Sequence, residues 1–286
     1  MLLALTRSVP ASITQCELTH LARAPIDRAR AVAEHAEYEA ALERLGCRVQ
    51  RLPDAPELPD SVFVEDTAVV FDEVAVIARP GAASRRPEVE AMVKALAPHR
   101  RLALIEPPGT LDGGDVLVTP GRVFIGVSGR TTAEGVRQFA AHVAPLGYDT
   151  IAVPVTGCLH LKSAVTLASL PPEGGSHRER GGSQGERSPL GAVEATRAGR
   201  PVLVINPAWV DAQYFDGFDL IDIDPSEPAA ANVLRIGEQV ICAAEYPRTR
   251  ARLESQGIAT TTVPAGELAK AEGGVTCGSV LLTVSG

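Results

Sequence analysis

The feature that most constrains this sequence is a repeated order of two strands, one helix and a third strand. Each third strand follows a helix-like stretch and ends at a proline, which cannot continue a central strand. A spacing of about 50 residues is typical of units repeated around an axis. The order therefore predicts five similar units arranged in a ring, rather than one sheet with unrelated prolines. The prolines are Pro53, Pro107, Pro154, Pro225 and Pro264.

Each proline is followed by a loop and then by two strand patterns separated by a turn. The last pair joins residues 279–284 to residues 2–6, so the chain would close head to tail and leave no exposed sheet edge there. The other predicted pairs are 62–71 with 74–79, 115–119 with 122–127, 159–169 with 201–206, and 232–236 with 239–243.

Apolar residues at helical spacing predict the helices of these units. In the first helix, Val32, Ala41 and Leu42 belong to the predicted apolar face. The predicted helices cover residues 26–46, 87–98, 131–146 and 246–256, with a short one near 210–216. A polar, glycine-rich stretch at 171–200 interrupts the third hairpin, and its composition favours a flexible surface insertion.

Composition narrows the class of protein. The 286 residues are 45% hydrophobic and 22% charged, as in ordinary globular proteins. The net charge of −8 argues against a nucleic-acid partner and favours a cationic small molecule. No apolar run is long enough to cross a membrane, and the first residues lack a signal-peptide pattern, so we expect a cytoplasmic protein.

Five cysteines occur at wide spacings without a CxxC pair: Cys16, Cys47, Cys158, Cys242 and Cys277. An odd number at such spacings argues against a disulfide framework or a structural zinc site. We therefore expect free thiols. Cys277 is the notable one, because it follows Gly273-Gly274 and a threonine and precedes a short strand pattern. A thiol held in that way could act as a nucleophile, although a single cysteine is more often a small buried hydrophobic residue.

Polar residues that could take part in catalysis or binding lie at one position of the repeat, the loop that leads into each hairpin. Equivalent loops of a ring of units meet at one end, so these side chains should converge. Each residue has an ordinary explanation when taken alone, such as an ion pair, a turn or a structural histidine. They are Asp60, Glu65 and Asp66 in one loop, Asp112 and Asp115 in the next, then His160, and finally Cys277.

Together these residues suggest an activated nucleophile. A carboxylate can orient the imidazole, the imidazole can move a proton, and the thiolate can attack. Further acids in the same place disfavour an anionic electrophile. They suit a guanidinium group, whose planar donors match carboxylate oxygens.

At this point the sequence resembles a known family, dimethylarginine dimethylaminohydrolase, which belongs to the guanidino-group-modifying enzymes with the pentein fold. The resemblance runs along the chain except for about 171–200, and the motifs come in the same order. They are Phe63-Val64-Glu65-Asp66, Leu111-Asp112-Gly113-Gly114-Asp115, Leu159-His160-Leu161-Lys162-Ser163 and Thr276-Cys277.

The resemblance implies a single pentein domain over residues 1–286, a five-bladed α/β propeller carrying a flexible insertion at 171–200. It implies hydrolysis of Nω-methylated arginines to citrulline and a methylamine, without a cofactor or a metal. The expected partner is a small cationic amino acid, and the choice between monomer and homodimer stays open.

The resemblance also implies residue roles. Cys277 matches the nucleophile, His160 the general acid/base and Asp112 the carboxylate that orients it. The substrate-binding residues would be Asp60, Glu65 and Asp66 for the cationic groups, Arg85 and Arg130 for the carboxylate, Leu18 in a lid, and Ala271 through its carbonyl. Glu272 stands where some relatives have aspartate.

Two alternatives stay open at this point. One is an arginine deiminase-like enzyme acting on arginine or another guanidine. Deiminases usually carry an aspartate two residues after the histidine, where this chain has Lys162. The other is a non-catalytic pentein module that binds a ligand or a protein. The joint presence of Cys277, His160 and Asp112 disfavours this second alternative.

Overall fold

The computed structural model describes residues 1–171 and 199–284. The strands within those ranges form five separate sheets of three strands each. They are β1 (Leu2–Thr6), β2 (Cys47–Arg51), β3 (Ala68–Val70), β4 (Val74–Ile77), β5 (Arg101–Leu104), β6 (Val116–Thr119), β7 (Arg122–Val127), β8 (Asp149–Pro154), β9 (Val165–Ser169), β10 (Val202–Ile205), β11 (Asp219–Asp222), β12 (Leu234–Ile236), β13 (Gln239–Ala243), β14 (Ala259–Val263) and β15 (Val280–Thr283).

The α-helices are α1 (Arg28–Arg44), α2 (Val89–Leu96), α3 (Ala133–Val143), α4 (Leu161–Ala164), α5 (Pro247–Ser255) and α6 (Gly266–Ala269). Four of them, α1, α2, α3 and α5, connect the second strand of a sheet to its third. Polar side chains cap the N-termini of two of these helices. The carboxylate of Asp27 accepts the Arg30 N–H, and the hydroxyl of Thr132 accepts the Gly135 N–H.

All five sheets have the same strand pairing. In the second sheet, β4 lies in the middle, antiparallel to β3 and parallel to β5. The parallel pair needs a crossover, which α2 supplies. The predicted order of strand, strand, helix and strand is therefore confirmed. We number the units by their sheets: unit 1 (β15-β1-β2), unit 2 (β3-β4-β5), unit 3 (β6-β7-β8), unit 4 (β9-β10-β11) and unit 5 (β12-β13-β14).

The two ends of the described chain close the ring. Strand β1 pairs antiparallel with β15, with Leu3 opposite Leu282 and Leu5 opposite Val280. The N–H of Val284 also donates to the Met1 carbonyl at 2.9 Å. The predicted head-to-tail hairpin is confirmed, and unit 1 is complete only because both chain ends contribute to it.

The first strands of the units surround a central cavity of about 260 Å³. Each unit supplies an apolar side chain to its wall, so the five sheets stand around one axis. This arrangement confirms the predicted five-bladed α/β propeller. The side chains are Val69, Leu117, Leu167, Leu234 and Leu281.

Two of the predicted hairpin strands begin later than their sequence patterns indicate. In place of a strand from residue 62, Val64–Thr67 forms a 3₁₀ turn and the Thr67 hydroxyl donates to the Val64 carbonyl at 2.6 Å. In place of a strand from residue 159, α4 precedes β9. Phe63, Val64 and Leu161 in these stretches are buried, but they pack in turns that aim the intervening polar side chains.

The predicted apolar face of the first helix is partly wrong. Val32 is exposed, whereas Glu34 and His35 are buried. Glu34 is accommodated because its carboxylate accepts the Glu267 N–H at 2.8 Å. The short helix predicted near 210–216 is a 3₁₀ turn, Ala212–Phe215.

The predicted insertion at 171–200 lies almost wholly outside the described residues. Its described ends are close together, since Ser169 at the end of β9 pairs with Val202 at the start of β10. Across residues 1–171 and 199–284, no helix has both the length and the apolar character needed to span a membrane.

Candidate active site

The loops that precede the first strands meet at one end of the propeller. There they enclose a cavity of about 10 Å³, room for roughly one water molecule. Seven of the predicted site residues line it: Asp60, Asp66, Arg85, Arg130, His160, Ala271 and Cys277. The other lining residues are Glu17, Phe63, Leu159, Glu272 and Gly273.

His160 and Asp112 form a buried pair beside this cavity. The Nε2 atom of His160 lies 3.0 Å from Oδ2 of Asp112. Burial favours the neutral imidazole, but the charge of Asp66, the hydrogen bond with Asp112 and the charge of Asp115 raise the pKa of His160 to about 9. At neutral pH His160 is therefore an imidazolium, which can donate a proton.

Asp66 faces the other ring nitrogen of His160. Its Oδ1 atom lies 3.7 Å from His160 Nδ1 and accepts the Gly114 N–H at 2.9 Å. Burial opposes ionisation, but the charges of His160 and Arg85 hold the pKa of Asp66 at about 2. Glycine is required at residue 114, because a Cβ there would lie 2.6 Å from His160 Nδ1 and 2.7 Å from Asp66 Oδ1.

Cys277 is buried at the start of unit 1, and its Sγ atom accepts the Gly274 N–H at 3.3 Å. Burial and the nearby carboxylates Glu65 and Asp66 raise the pKa of the thiol to about 12. The resting group is therefore a neutral thiol. A cation placed between the sulfur and these acids would favour the thiolate.

Glu65 lies behind the cavity wall rather than in it. Its Oε1 atom accepts from Lys162 Nζ at 2.6 Å, and its Oε2 atom accepts from the Thr276 hydroxyl at 2.7 Å. Burial raises the pKa of Glu65 despite the neighbouring lysine. Lys162, the residue that distinguishes this chain from the deiminase pattern, thus places its amino group against one of the predicted guanidinium-binding acids.

Asn232 completes this group and comes from unit 5. Its Oδ1 atom accepts the Thr276 N–H at 3.0 Å, and its Nδ2 atom donates to the Lys162 carbonyl at 3.0 Å. Glu65 also donates its N–H to the Cys277 carbonyl at 3.2 Å. The loops that carry the cysteine and the histidine are therefore joined on the side away from the cavity.

Arg85 is buried and fully engaged. It donates to Asp66 Oδ2 at 2.5 Å, to Glu88 Oε2 at 2.8 Å and to the Phe63 carbonyl at 3.0 Å. Burial raises the pKa of Glu88 to about 7 in spite of this arginine. Arg85 thus faces the cavity as a fixed cation whose position is set by two carboxylates.

Arg130 is held by the turn that follows β7. Its N–H and that of Thr131 both donate to the Ser128 hydroxyl, which in turn donates to Asp115 Oδ2 at 2.6 Å. The other oxygen of Asp115 accepts the Leu161 N–H at 2.9 Å. The buried Asp115 therefore ties the segment of His160 to the turn of Arg130.

The segment 17–21 covers the cavity. Both oxygens of Asp60 lie within hydrogen-bonding distance of the Glu17 N–H, at 3.1 and 3.3 Å. Leu18 is half-buried and packs against the cluster that contains Phe63 and Ala271. The Thr19 hydroxyl accepts from Arg130 at 3.1 Å.

All ten predicted site residues lie in or next to this cavity. Cys277, His160, Asp60, Asp66, Arg85, Arg130 and Ala271 line it, whereas Asp112, Glu65 and Leu18 lie directly behind or above its wall. The oxygens of Asp66 and Asp112 and a His160 nitrogen lie within 4.8 Å of one another. That spacing could hold a metal ion, but these atoms already pair with one another and with Arg85.

Four residues of the site region were missed or underrated in the sequence: Glu17, Glu88, Asn232 and Glu272. Glu88 follows Arg85 at the i, i+3 spacing of a helical ion pair, which was a usable signal. Asn232 lies two residues before β12, the same phase of the repeat that carries the other site residues. Glu17 and Glu272 follow no such pattern, since their partners come from distant parts of the chain.

Known proteins match this chain closely. A model of the eukaryotic N,N-dimethylarginine dimethylhydrolase family matches residues 15–164. An N(G),N(G)-dimethylarginine dimethylaminohydrolase from Streptomyces coelicolor is 36% identical over 283 residues, which is 98% of this chain and 96% of that protein. The enzyme of the same name from Pseudomonas aeruginosa is 33% identical over 257 residues, covering 89% of each chain.

Solved structures agree with these matches. The dimethylarginine dimethylaminohydrolase of Pseudomonas aeruginosa, as a mutant complexed with citrulline, superposes with a TM-score of 0.81 at 31% identity and 98% coverage of both chains. A dimethylarginine dimethylaminohydrolase adduct with S-methyl-L-thiocitrulline gives a TM-score of 0.80 at 31% identity, again with 98% coverage of both chains. The N-terminal domain of ArgZ gives a TM-score of 0.79 at 14% identity, which shows a shared fold alone.

Proposed function

The chain belongs to the dimethylarginine dimethylaminohydrolase family, and we propose that it hydrolyses Nω-methylated arginines to citrulline and the corresponding methylamine. The observation that carries this proposal is the placement of Cys277 and the His160–Asp112 pair around one closed cavity with Asp66. The names of the relatives and the citrulline bound to one of them support the same reaction.

The charges around the cavity suit a substrate that is a cationic amino acid. Asp66 can accept hydrogen bonds from a guanidinium, with Glu65 behind it, and Ala271 can contribute its carbonyl. Asp60 suits the ammonium group and Arg130 suits the carboxylate. Arg85, whose donors are engaged by Asp66, Glu88 and the Phe63 carbonyl, can attract the carboxylate through its charge. Leu18 would cover the bound substrate as part of the segment 17–21.

The first step is formation of a thiolate at Cys277. Because His160 has a pKa of about 9, it is already protonated at neutral pH and cannot take the thiol proton. We infer that this proton leaves to solvent as the guanidinium arrives, since the substrate cation offsets the carboxylates that keep the thiol neutral. The thiolate then attacks the guanidinium carbon and gives a neutral tetrahedral intermediate.

His160 then acts as an acid and afterwards as a base. It donates its proton to the methylated nitrogen, the carbon–nitrogen bond breaks, and dimethylamine leaves a cationic thiouronium on Cys277. The neutral imidazole next takes a proton from a water molecule that attacks the same carbon. The carbon–sulfur bond breaks, citrulline is released, and the hydroxyl proton returns to the sulfur. Asp112 holds the ring in position throughout.

The test is citrulline formation from asymmetric dimethylarginine, monomethylarginine and arginine. We expect turnover of the methylated substrates and a loss of about 10³-fold or more in Cys277→Ser. Cys242→Ser, a change of a buried thiol in β13, is the matched control and should keep full activity. Turnover mainly of arginine would favour the deiminase alternative, and no turnover by folded protein would favour a binding module.

A further inference from the structure

Glu272 binds the segment 17–21, which covers the cavity, through its side-chain carboxylate. Its carboxylate accepts hydrogen bonds from three consecutive backbone N–H groups, those of Thr19 at 3.0 Å, His20 at 2.5 Å and Leu21 at 2.6 Å. Consecutive N–H groups that point to one place form an anion-binding nest. Bonds to a charged acceptor are stronger than ordinary hydrogen bonds, so this contact holds the segment firmly.

The backbone of Glu272 is arranged for this contact. Its φ of 60° makes it the one non-glycine residue with a positive φ among those that the structure describes. That conformation is unfavourable for a side chain with a Cβ and persists only where the surroundings impose it. Here α6 ends at Ala269, three residues before Glu272, and the Glu272 N–H donates to the Ala269 carbonyl at 3.0 Å. The turn sends the carboxylate away from the cysteine loop and toward residues 19–21.

The segment 17–21 must move before a substrate enters. The cavity of about 10 Å³ cannot admit an amino acid, and Glu17 forms part of its wall. A neighbouring cavity of about 470 Å³, lined by His20, Leu21 and Glu272, gives the segment space in which to shift. Opening therefore breaks the Glu272 contacts, and closing restores them.

Other polar side chains also bind the segment 17–21, but most of them are expected to bind the substrate as well. The Ser84 hydroxyl donates to the exposed Glu17 carboxylate at 2.6 Å. Asp60 accepts the Glu17 N–H and Arg130 donates to the Thr19 hydroxyl, yet these last two belong to the groups assigned above to the substrate. A bound substrate would compete with the segment for these two side chains. Glu272 has no assigned contact with the substrate, so its hydrogen bonds to residues 19–21 can persist in the substrate complex.

From these contacts we propose that Glu272 is the latch of a lid formed by residues 17–21, and that it positions this lid over the bound amino acid. The proposal rests on the proposed function for the identity of the substrate. Because the lid is closed both before and during the chemical step, loss of the latch should weaken binding more than it slows the reaction. We expect KM to rise about tenfold in Glu272→Gln, with kcat changing less than about threefold.

The test uses the full-length protein and begins without turnover. Hydrogen exchange followed by mass spectrometry would report the amides of Thr19, His20 and Leu21, and alkylation by iodoacetamide would report access to Cys277. Glu272→Gln should raise the exchange rate about tenfold or more and speed alkylation. The matched control is Glu227→Gln, since the Glu227 carboxylate accepts the N–H groups of Arg248 and Thr249, away from the site.

A second variant guards against misfolding. In Glu272→Gly the carboxylate is lost while glycine takes the positive φ without strain, so the fold should persist and the lid should open as in Glu272→Gln. Unchanged exchange at residues 19–21 in both variants would overturn the proposal, as would faster exchange with an unchanged KM. Faster exchange in a protein whose wild type turns over no methylated arginine would instead overturn the proposed function and leave the latch standing.

Discussion

The two ends of the propeller differ in what their loops contain. At the end that carries the cavity, Asp66, Asp112 and Asp115 are buried. At the opposite end, the turns inside the hairpins carry carboxylates that are almost fully exposed, such as Asp72 and Glu238, with side-chain exposures of 87% and 86%. The same five hairpins therefore support two chemically different surfaces.

The glycines differ in the same way. Gly114 has neighbours so close that no side chain fits, whereas Gly121 and Gly237 have open space and serve turns with φ of 72° and 58°. At the end opposite the cavity, the hairpins require only residues that fit the geometry of their turns. At the other end, burial of charge costs free energy unless every group has a partner. The comparison thus separates residues that serve the fold from residues that serve the reaction.

Among changes that keep every catalytic side chain, the largest effect should come from adding one methyl group in the site. In Gly114→Ala, the Cβ would lie 2.6 Å from His160 Nδ1 and displace either the imidazole or Asp66. We expect kcat/KM to fall about 100-fold or more, since small misplacements of catalytic groups are costly. Gly121→Ala is the control at the opposite end. It should lower the free energy of unfolding by about 1 kcal/mol and leave kcat/KM unchanged, as measured by denaturation and a citrulline assay.

A smaller loss is expected when Asp115 is changed to asparagine. The amide keeps the shape of the carboxylate, but its nitrogen cannot accept a hydrogen bond. Either the bond from the Leu161 N–H or the bond from the Ser128 hydroxyl is therefore lost. We expect kcat/KM to fall about tenfold because His160 and Arg130 lose their common support. The pH profile should also shift, since Asp115 contributes to the raised pKa of His160. An unchanged profile together with an unchanged kcat/KM would show that Asp115 serves the fold alone.

The pH dependence follows from His160. Its folded pKa of about 9 lies above the ordinary value of 6.5, so its charged form stabilises the fold fully below pH 6.5. That contribution is lost as the pH rises through about 9, and the acid for the leaving amine is lost with it. We expect Tm to fall over this range, together with kcat at saturating substrate, where the bound cation has already favoured the thiolate. His160→Gln should remove this part of the Tm decrease.

His35 supplies the control for this prediction. It is buried in α1, and burial lowers its pKa. His35→Gln should therefore leave the alkaline decrease in Tm and kcat as it is in the wild type. A wild-type profile without change between pH 6.5 and 9.5 would contradict the assigned protonation state of His160.

The smallest effect is expected from shortening the insertion. Residues 173–188 lie outside the described ranges, but Ser169 and Val202 pair at the end of β9 and β10 remote from His160. Deleting residues 173–188 should change kcat/KM by less than about twofold, because loop length has a weak effect on stability. A loss of more than about tenfold in a folded variant would show that this segment reaches the site.

The sequence contained enough information to predict the repeat and its closure, because strand alternation, helical spacing and terminal prolines are local signals. It also indicated the phase of the repeat that carries Asp66, Asp112, His160 and Cys277. These predictions needed no knowledge of which side chains touch.

What the sequence could not supply were contacts between distant segments. The pairing of Glu272 with residues 19–21 joins opposite ends of the chain, and the pairing of Glu65 with Lys162 joins two units. The prediction for Val32 is wrong because the buried face of α1 is partly polar: it includes His35, and it includes Glu34, whose carboxylate accepts the distant Glu267 N–H. The turn Val64–Thr67 has the pattern of a strand in the sequence because apolar residues stand on both sides of Glu65-Asp66-Thr67.

The measurement that tests the central claim most directly is the mass of the Cys277 peptide. The protein would be mixed with asymmetric dimethylarginine, quenched in acid within one turnover, and digested. A covalent thiouronium adduct on Cys277, which disappears as citrulline accumulates, is the predicted result. Citrulline formed at full rate with Cys277 unmodified throughout, or with the adduct on another residue, would contradict the assignment of Cys277 as the nucleophile.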